Sequence, residues 1–222
     1  MPVRLPFFVQ VLFDSPCYFD AFLFKFDSGG QLLWARSWGG EHLDSGEGLT
    51  LVDDGVIVSG HFAGKFAFAP EGLTLETTAE RRSWYLARFD GDGTLRWARQ
   101  HGGNTMMQLV RTASDRSGGT VALGHFAGGS LELLPGEMLE SSGKNDILMA
   151  RFDSEGHCRW ARSIAGPESD YGTAIAVDSA GNSYIAGSHR AGTDLDPSPA
   201  TERIAEAKGV FLMKLDPSGE LV

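Results

Sequence analysis

Apolar residues along this chain come in short stretches that alternate or crowd together and stop at Asp, Gly, Ser and Pro: AFLFKF at 21–26, LLWARSW at 32–38, GLTLV at 48–52, VIVSG at 56–60. Aromatic and β-branched residues dominate them, the signature of strands closed by turns. No stretch of 12 residues carries a helical stripe. The pattern predicts an all-β protein with almost no helix.

The stretches recur. DAFLFKFDSGGQLLWAR at 20–36 returns as SWYLARFDGDGTLRWAR at 83–99, as DILMARFDSEGHCRWAR at 146–162 and as GVFLMKLDPSGELV at 209–222, always 63 residues on. Asp27, Asp90, Asp153 and Asp216 fall in one column, Gly30, Gly93, Gly156 and Gly219 in a second, Trp34, Trp97 and Trp160 in a third, Arg36, Arg99 and Arg162 in a fourth. A second block repeats at 48–62, 111–126 and 174–189, and a weaker one links 66–76 with 131–143, its alternating apolar residues split by Pro and Gly as in a hairpin. Each period therefore holds four strands in a turn-linked meander, with an outer hairpin in the longer connection. One four-stranded sheet cannot bury both faces alone, and a period of about 40–60 residues with four strands indicates radial stacking. The expected fold is an all-β β-propeller of four-stranded antiparallel blades, incomplete at about three and a half to four blades. It forms a single partial domain over 1–222, with units near 1–45, 46–108, 109–171 and 172–222.

Within the column of turns, the Asp is expected to accept hydrogen bonds from its own turn and the Gly to supply the positive φ that closes the hairpin. The Trp and Arg share one strand face, which suits a Trp packed between neighbouring sheets with the Arg stacking on it or bridging to an acidic turn.

Several residues raise chemical alternatives. His61 and His125 stand in matching GHF triplets, whereas His189 is displaced by one in GSH, so a histidine ring around a metal lacks a consistent third member. DGDG at 90–93 resembles part of a calcium loop whose further ligands are missing. Asp194 and Asp196 in DLDPSPATE are the candidate metal ligands of a turn that Pro197 and Pro199 equally make a stiff loop. SSGK at 141–144 matches Ser-x-x-Lys without its partner motifs. No other catalytic or nucleotide motif is present, so the expectation is no catalytic residue, no cofactor and no enzyme activity.

A net charge of −10, from 19 basic and 29 acidic side chains, opposes nucleic-acid binding. FFVQVLF at 7–13 is too short to span a membrane and lacks the flanks of a signal peptide, so no membrane insertion is expected. Cys17 and Cys158 build neither a disulfide framework nor a zinc site.

The motif D-x-F-L-x-K-F-D-x-x-G-x-L-x-W-A-R at 20–36, followed by V-D-S-x-G-N-x-Y-I-A-G at 177–187, resembles the bacterial SBBP β-propeller repeat family; residues 116–119 and the short turn at 53–55 depart from it. The resemblance implies an extracytoplasmic bacterial propeller, secreted, periplasmic or at the cell surface, without family-wide catalytic residues. It points to a binding or interaction scaffold for a protein or carbohydrate ligand. A partial likeness to quinoprotein propellers makes a degenerate oxidoreductase one alternative, and a purely structural module of a longer surface protein is another. Three periods and fragments leave sheet edges open. The chain is expected to be a piece of a longer propeller; self-association into a ring or an open arc are the other possibilities.

Overall fold

The computed structural model describes residues 20–42, 44–68, 72–77, 82–102, 106–114, 118–198 and 202–222. The apolar stretch at 7–13, Cys17, Pro199 and part of 116–119 lie outside the described residues. Seventeen strands and no helix occur among those described, as the hydrophobic pattern requires.

The second repeat unit forms a complete blade from β3 (Gly48–Val52), β4 (Gly55–Ala63), β7 (Arg82–Asp90) and β8 (Leu95–His101), in the order β3-β4-β7-β8. The third unit repeats it with β9 (Met106–Ser114), β10 (Thr120–Ala127), β13 (Asp146–Phe152) and β14 (Cys158–Ile164). Before them, β1 (Ala21–Phe26) and β2 (Leu32–Gly40) supply the third and fourth strands of a first blade; after them, β15 (Tyr171–Val177), β16 (Ser183–His189) and β17 (Gly209–Leu215) supply the first three of a fourth. The innermost strands β3, β9 and β15 lie side by side, so the sheets fan about a common line.

The connection between the second and third strands of blade 2 does not stay with its own blade. β5 (Lys65–Phe68) and β6 (Leu73–Glu76) form a hairpin that pairs through β5 with β2 of the preceding blade, giving the sheet β1-β2-β5-β6. Gly40 permits this, because a Cβ there would run into the Lys65 carbonyl oxygen. A second stitch follows blade 3: Asp194 bridges both Ala165, at the end of β14, and Ile204. β11 (Ser130–Leu134) and β12 (Glu137–Glu140) form a separate two-stranded sheet whose Leu133, Leu134 and Leu139 pack on the core between blades 2 and 3. The outer hairpin expected in the longer connection is thus present, and for β5–β6 it pairs with the preceding blade.

Central strands are buried on both faces because each faces two neighbours. In β7, Tyr85, Ala87 and Phe89 join the core shared with blade 1, while Trp84 and Leu86 join that shared with blade 3. In β13, Met149 and Ile147 face blade 4, and Ala150 and Phe152 face blade 2.

The repeated columns hold these layers together. Trp34 Nε1 donates to the Gly91 carbonyl at 3.1 Å, Trp97 Nε1 to Ser154 at 2.8 Å and Trp160 Nε1 to Pro217 at 2.9 Å. Each indole thus reaches the Asp-x-x-Gly turn of the following blade and lies over its glycine. Gly93, Gly156 and Gly219 have φ of 82°, 77° and 86°, and a Cβ on them would meet Trp34, Trp97 and Trp160 at 2.9, 2.6 and 2.8 Å. Two constraints, the left-handed backbone and the overlying ring, both require glycine. Gly30 shares the conformation, with φ 79°, but no atom among the described residues lies within 4 Å of its virtual Cβ.

Comparing these glycines isolates the contribution of the ring. Gly30→Ala is expected to cost about 1–2 kcal/mol of unfolding free energy, the left-handed penalty alone. Gly156→Ala is expected to cost a further ~1–3 kcal/mol from overpacking against Trp97. Urea denaturation of the two variants checks this; equal losses contradict it.

Candidate functional site

At the end of the blades that carries the Asp-x-x-Gly turns, the side chains are occupied by the fold. Asp27 Oδ1 accepts from the amides of Gly29 and Gln31 at 2.8 and 2.9 Å; Asp153 repeats the pattern with Glu155 and His157, and Asp216 with Ser218 and Glu220. In DGDG at 90–93, Asp90 and Asp92 both accept from the Thr94 amide, and Asp90 also pairs with Arg96. Their Oδ1 atoms are used by the turn itself.

The arginines follow the tryptophans onto the same turns. Arg36 Nε donates to the Gly93 carbonyl at 2.8 Å and Arg99 Nε to Glu155 at 2.6 Å, whereas Arg162 pairs with the Glu220 carboxylate at 3.0 Å. The Arg36 guanidinium also lies 5.8 Å from the Trp34 ring centroid.

A further cation column escaped the sequence reading. Lys25 sits opposite Trp34, Arg88 opposite Trp97 and Arg151 opposite Trp160, each just before a register shift. Each reaches the next blade: Lys25 Nζ to the Gly91 carbonyl at 2.5 Å, Arg88 to Ser154 at 3.3 Å, and Arg151 to Gly181 at 3.0 Å. The signal for it was the 63-residue period already in hand, extended to position 25.

The histidines do not converge. His61 donates from Nε2 to the Met107 carbonyl at 3.0 Å and faces Glu47 through Nδ1 at 3.0 Å. The His125 Nε2 instead accepts from the Gly172 amide at 3.0 Å, and burial lowers its pKa. Both rings thus tie a second strand to the inner strand of the next blade. His189 stands opposite Gly209 and Ser188 opposite Val210, so a serine fills the place of the other two histidines. Asp194 Oδ1 accepts from the amides of Asp196 and Arg203, and Asp196 Oδ1 from that of Ser198; these bonds shape the stitch hairpin. No group of three or more His, Cys, Asp or Glu suited to a metal occurs among the described residues. In SSGK, Lys144 pairs with Glu168 at 2.7 Å, and Ser142 donates its amide to Asp146.

Two perturbed groups belong to the blade junctions. Asp44 is 3% exposed; burial pushes its carboxyl from the ordinary 3.8 up to about 6, against the Gly40 and Ala63 amides, with Asp20 adding repulsion. His101 stacks on Trp84 at 4.6 Å, and burial, helped by Arg99 and His157, lowers it to about 3. It fills the position held by Trp38 and Ile164 in the neighbouring blades, all three packed in inter-blade layers, and acts as a neutral core aromatic. Cys158 is half-buried, and burial pushes its thiol up to about 12.

Further polar groups lie at the opposite end of the blades. Glu47 and His61 form one cluster there. Lys144, Glu168, Asn145 and the half-exposed Tyr171 form another, beside Asp170, which holds the Arg190 amide and the Thr193 hydroxyl, each at 2.8 Å.

Fanned four-stranded sheets, a strict period and turn-to-indole stitching define a β-propeller repeat protein. The family model described as a beta-propeller repeat, SBBP, matches residues 159–188, from the outer strand of blade 3 into the second strand of blade 4, and that segment is similar to the SBBP repeat. The chain is also similar to the regulatory protein FlaEY of Caulobacter vibrioides, 28% identical over 200 residues. The match takes in 84% of this chain and 20% of that protein, so the chain spans about a fifth of that curated relative's length.

The pH response separates the two buried groups. Native Asp44 retains a proton that the unfolded chain has lost between 3.8 and about 6, so its contribution to stability declines as pH rises through that window. The His101 contribution has the opposite sign, lost as pH falls from 6.5 toward about 3. Asp44→Asn is expected to gain stability relative to the unsubstituted protein as pH is raised from about 4 to 6, by on the order of 1–3 kcal/mol. Urea denaturation across that range reads it, and a difference that does not change with pH contradicts it.

Proposed function

We propose that this chain is a non-catalytic β-propeller scaffold that binds a protein or carbohydrate ligand through the loops opposite the Asp-x-x-Gly turns. One observation carries the reading: the Trp and Arg columns are spent on blade-to-blade contacts, the Asp column on closing its own turns, and exposed polar side chains such as Lys144 and Glu168 stand in the loops at the other end. Loops held by a rigid stack of sheets are where such scaffolds bind. Acyl transfer is disfavoured at SSGK because its lysine is engaged by Glu168. The resemblance to bacterial SBBP repeats supports an extracytoplasmic setting, and the 20% share of a regulatory protein supports a segment that works within a longer chain.

The test is binding to a carbohydrate array and to proteins of the extracytoplasmic fraction, with Lys144→Glu and Tyr171→Ala compared against Asp92→Ala. Loss of at least about tenfold in affinity in the first two, corresponding to ~1.4 kcal/mol, with Asp92→Ala unaffected, supports the reading. Binding lost only at the turn end, or dye reduction dependent on added quinone and calcium, contradicts it.

A further inference from the structure

We propose that the two outermost sheet faces are the two halves of one blade-to-blade interface and close on each other between copies of this chain, head to tail. The inference rests on the stacking of blades and not on the loop-end reading of function.

On the blade 1 side, Phe22 and Phe26 are 58% and 55% exposed, with Phe24 between them at ring-centroid distances of 5.0 and 6.2 Å. One period later the same positions are Tyr85, Ala87 and Phe89, which are 0%, 0% and 1% exposed because blade 1 covers them. The phenylalanine row is the receiving half of the interface, with no donor among the described residues.

On the blade 4 side, Val210 and Leu212 are 85% and 76% exposed. Three periods earlier the same positions are Ala21 and Leu23, the residues that β1 contributes to the core around Tyr85, Ala87 and Phe89. Between blades 3 and 4, the equivalent Ile147 and Met149 are fully buried. Val210 and Leu212 are therefore the donor half, with no receiver among the described residues.

The polar contacts match as well. Lys214 is the fourth member of the column formed by Lys25, Arg88 and Arg151. Lys25 and Arg88 donate to the carbonyls of Gly91 and Ser154 on the next blade, and the corresponding carbonyl on blade 1 is that of Ser28. Within its own chain the Lys214 ammonium lies 5.7 Å from the Tyr184 ring. One molecule thus presents an apolar row with a cation beside it, and a second presents the aromatic row and acceptor that such a set meets twice inside the chain. Because the two patches differ, the contact is heterologous, and it covers two exposed apolar faces at once.

Sedimentation velocity on the full chain over a range of concentrations tests this. The 23.9 kDa monomer is expected to give way to larger species as concentration rises. Phe22→Glu/Phe26→Glu blocks one end and Val210→Glu/Leu212→Glu the other; all four sites are exposed, and circular dichroism checks that both variants fold. Each variant alone is expected to stay monomeric, while their equimolar mixture forms a dimer and nothing larger. Lys214→Glu weakens association by about tenfold, and Lys214→Arg restores it. The proposal is overturned if the unsubstituted chain stays monomeric, if either blocked variant still pairs with itself, or if the mixture stays monomeric.

Discussion

An indole lying over a left-handed glycine of the neighbouring sheet is the contact on which the rest of the architecture depends. A four-stranded sheet twists and has two faces to bury, and no local hydrogen bond tells one sheet where the next belongs. The tryptophan of each outer strand supplies that information. It reaches past its own blade to a turn carbonyl 57 residues on, and the turn can receive it only because its fourth residue has no side chain. The arginine two positions later and the cation on the adjacent strand fasten to the same turn or the one beside it, so three contacts fix one spacing and one rotation between blades.

The fold spends its most recognisable residues on this job. Asp, Gly, Trp and Arg, which stand out as columns and invite comparison with metal loops and quinone enzymes, are consumed by turns and blade contacts. The exposed polar groups at the other end of the blades are less regular, among them the Lys144 and Glu168 pair with Tyr171 nearby.

The period made the strands, the Asp-x-x-Gly turns and the direction of the tryptophans legible before any coordinates. The stitch of β5 onto the preceding blade was not: Gly40 recurs as Gly103 and Gly166 at the 63-residue spacing, but the column does not reveal that Gly40 meets the Lys65 carbonyl across a sheet boundary. His61 and His125 were visible as a matched pair, but their partners are backbone groups of Met107 and Gly172, which carry no side-chain signature. DLD at 194–196 suggested calcium because spacing alone does not reveal that Asp194 is already bonded to the Arg203 amide. Asp44 was silent because its character comes from burial at a blade junction rather than from its neighbours in the chain.

The central claim is that Trp97 and Gly156 form one energetic unit across a blade boundary, and a double-mutant cycle measures it most directly. If the account is right, Gly156→Ala in a Trp97→Ala background costs only the ordinary left-handed penalty, leaving a coupling energy of about 1–3 kcal/mol between the two sites. Additive losses, with no coupling outside error, would show that the indole and the turn are merely adjacent and would remove the basis for the blade-to-blade stitch.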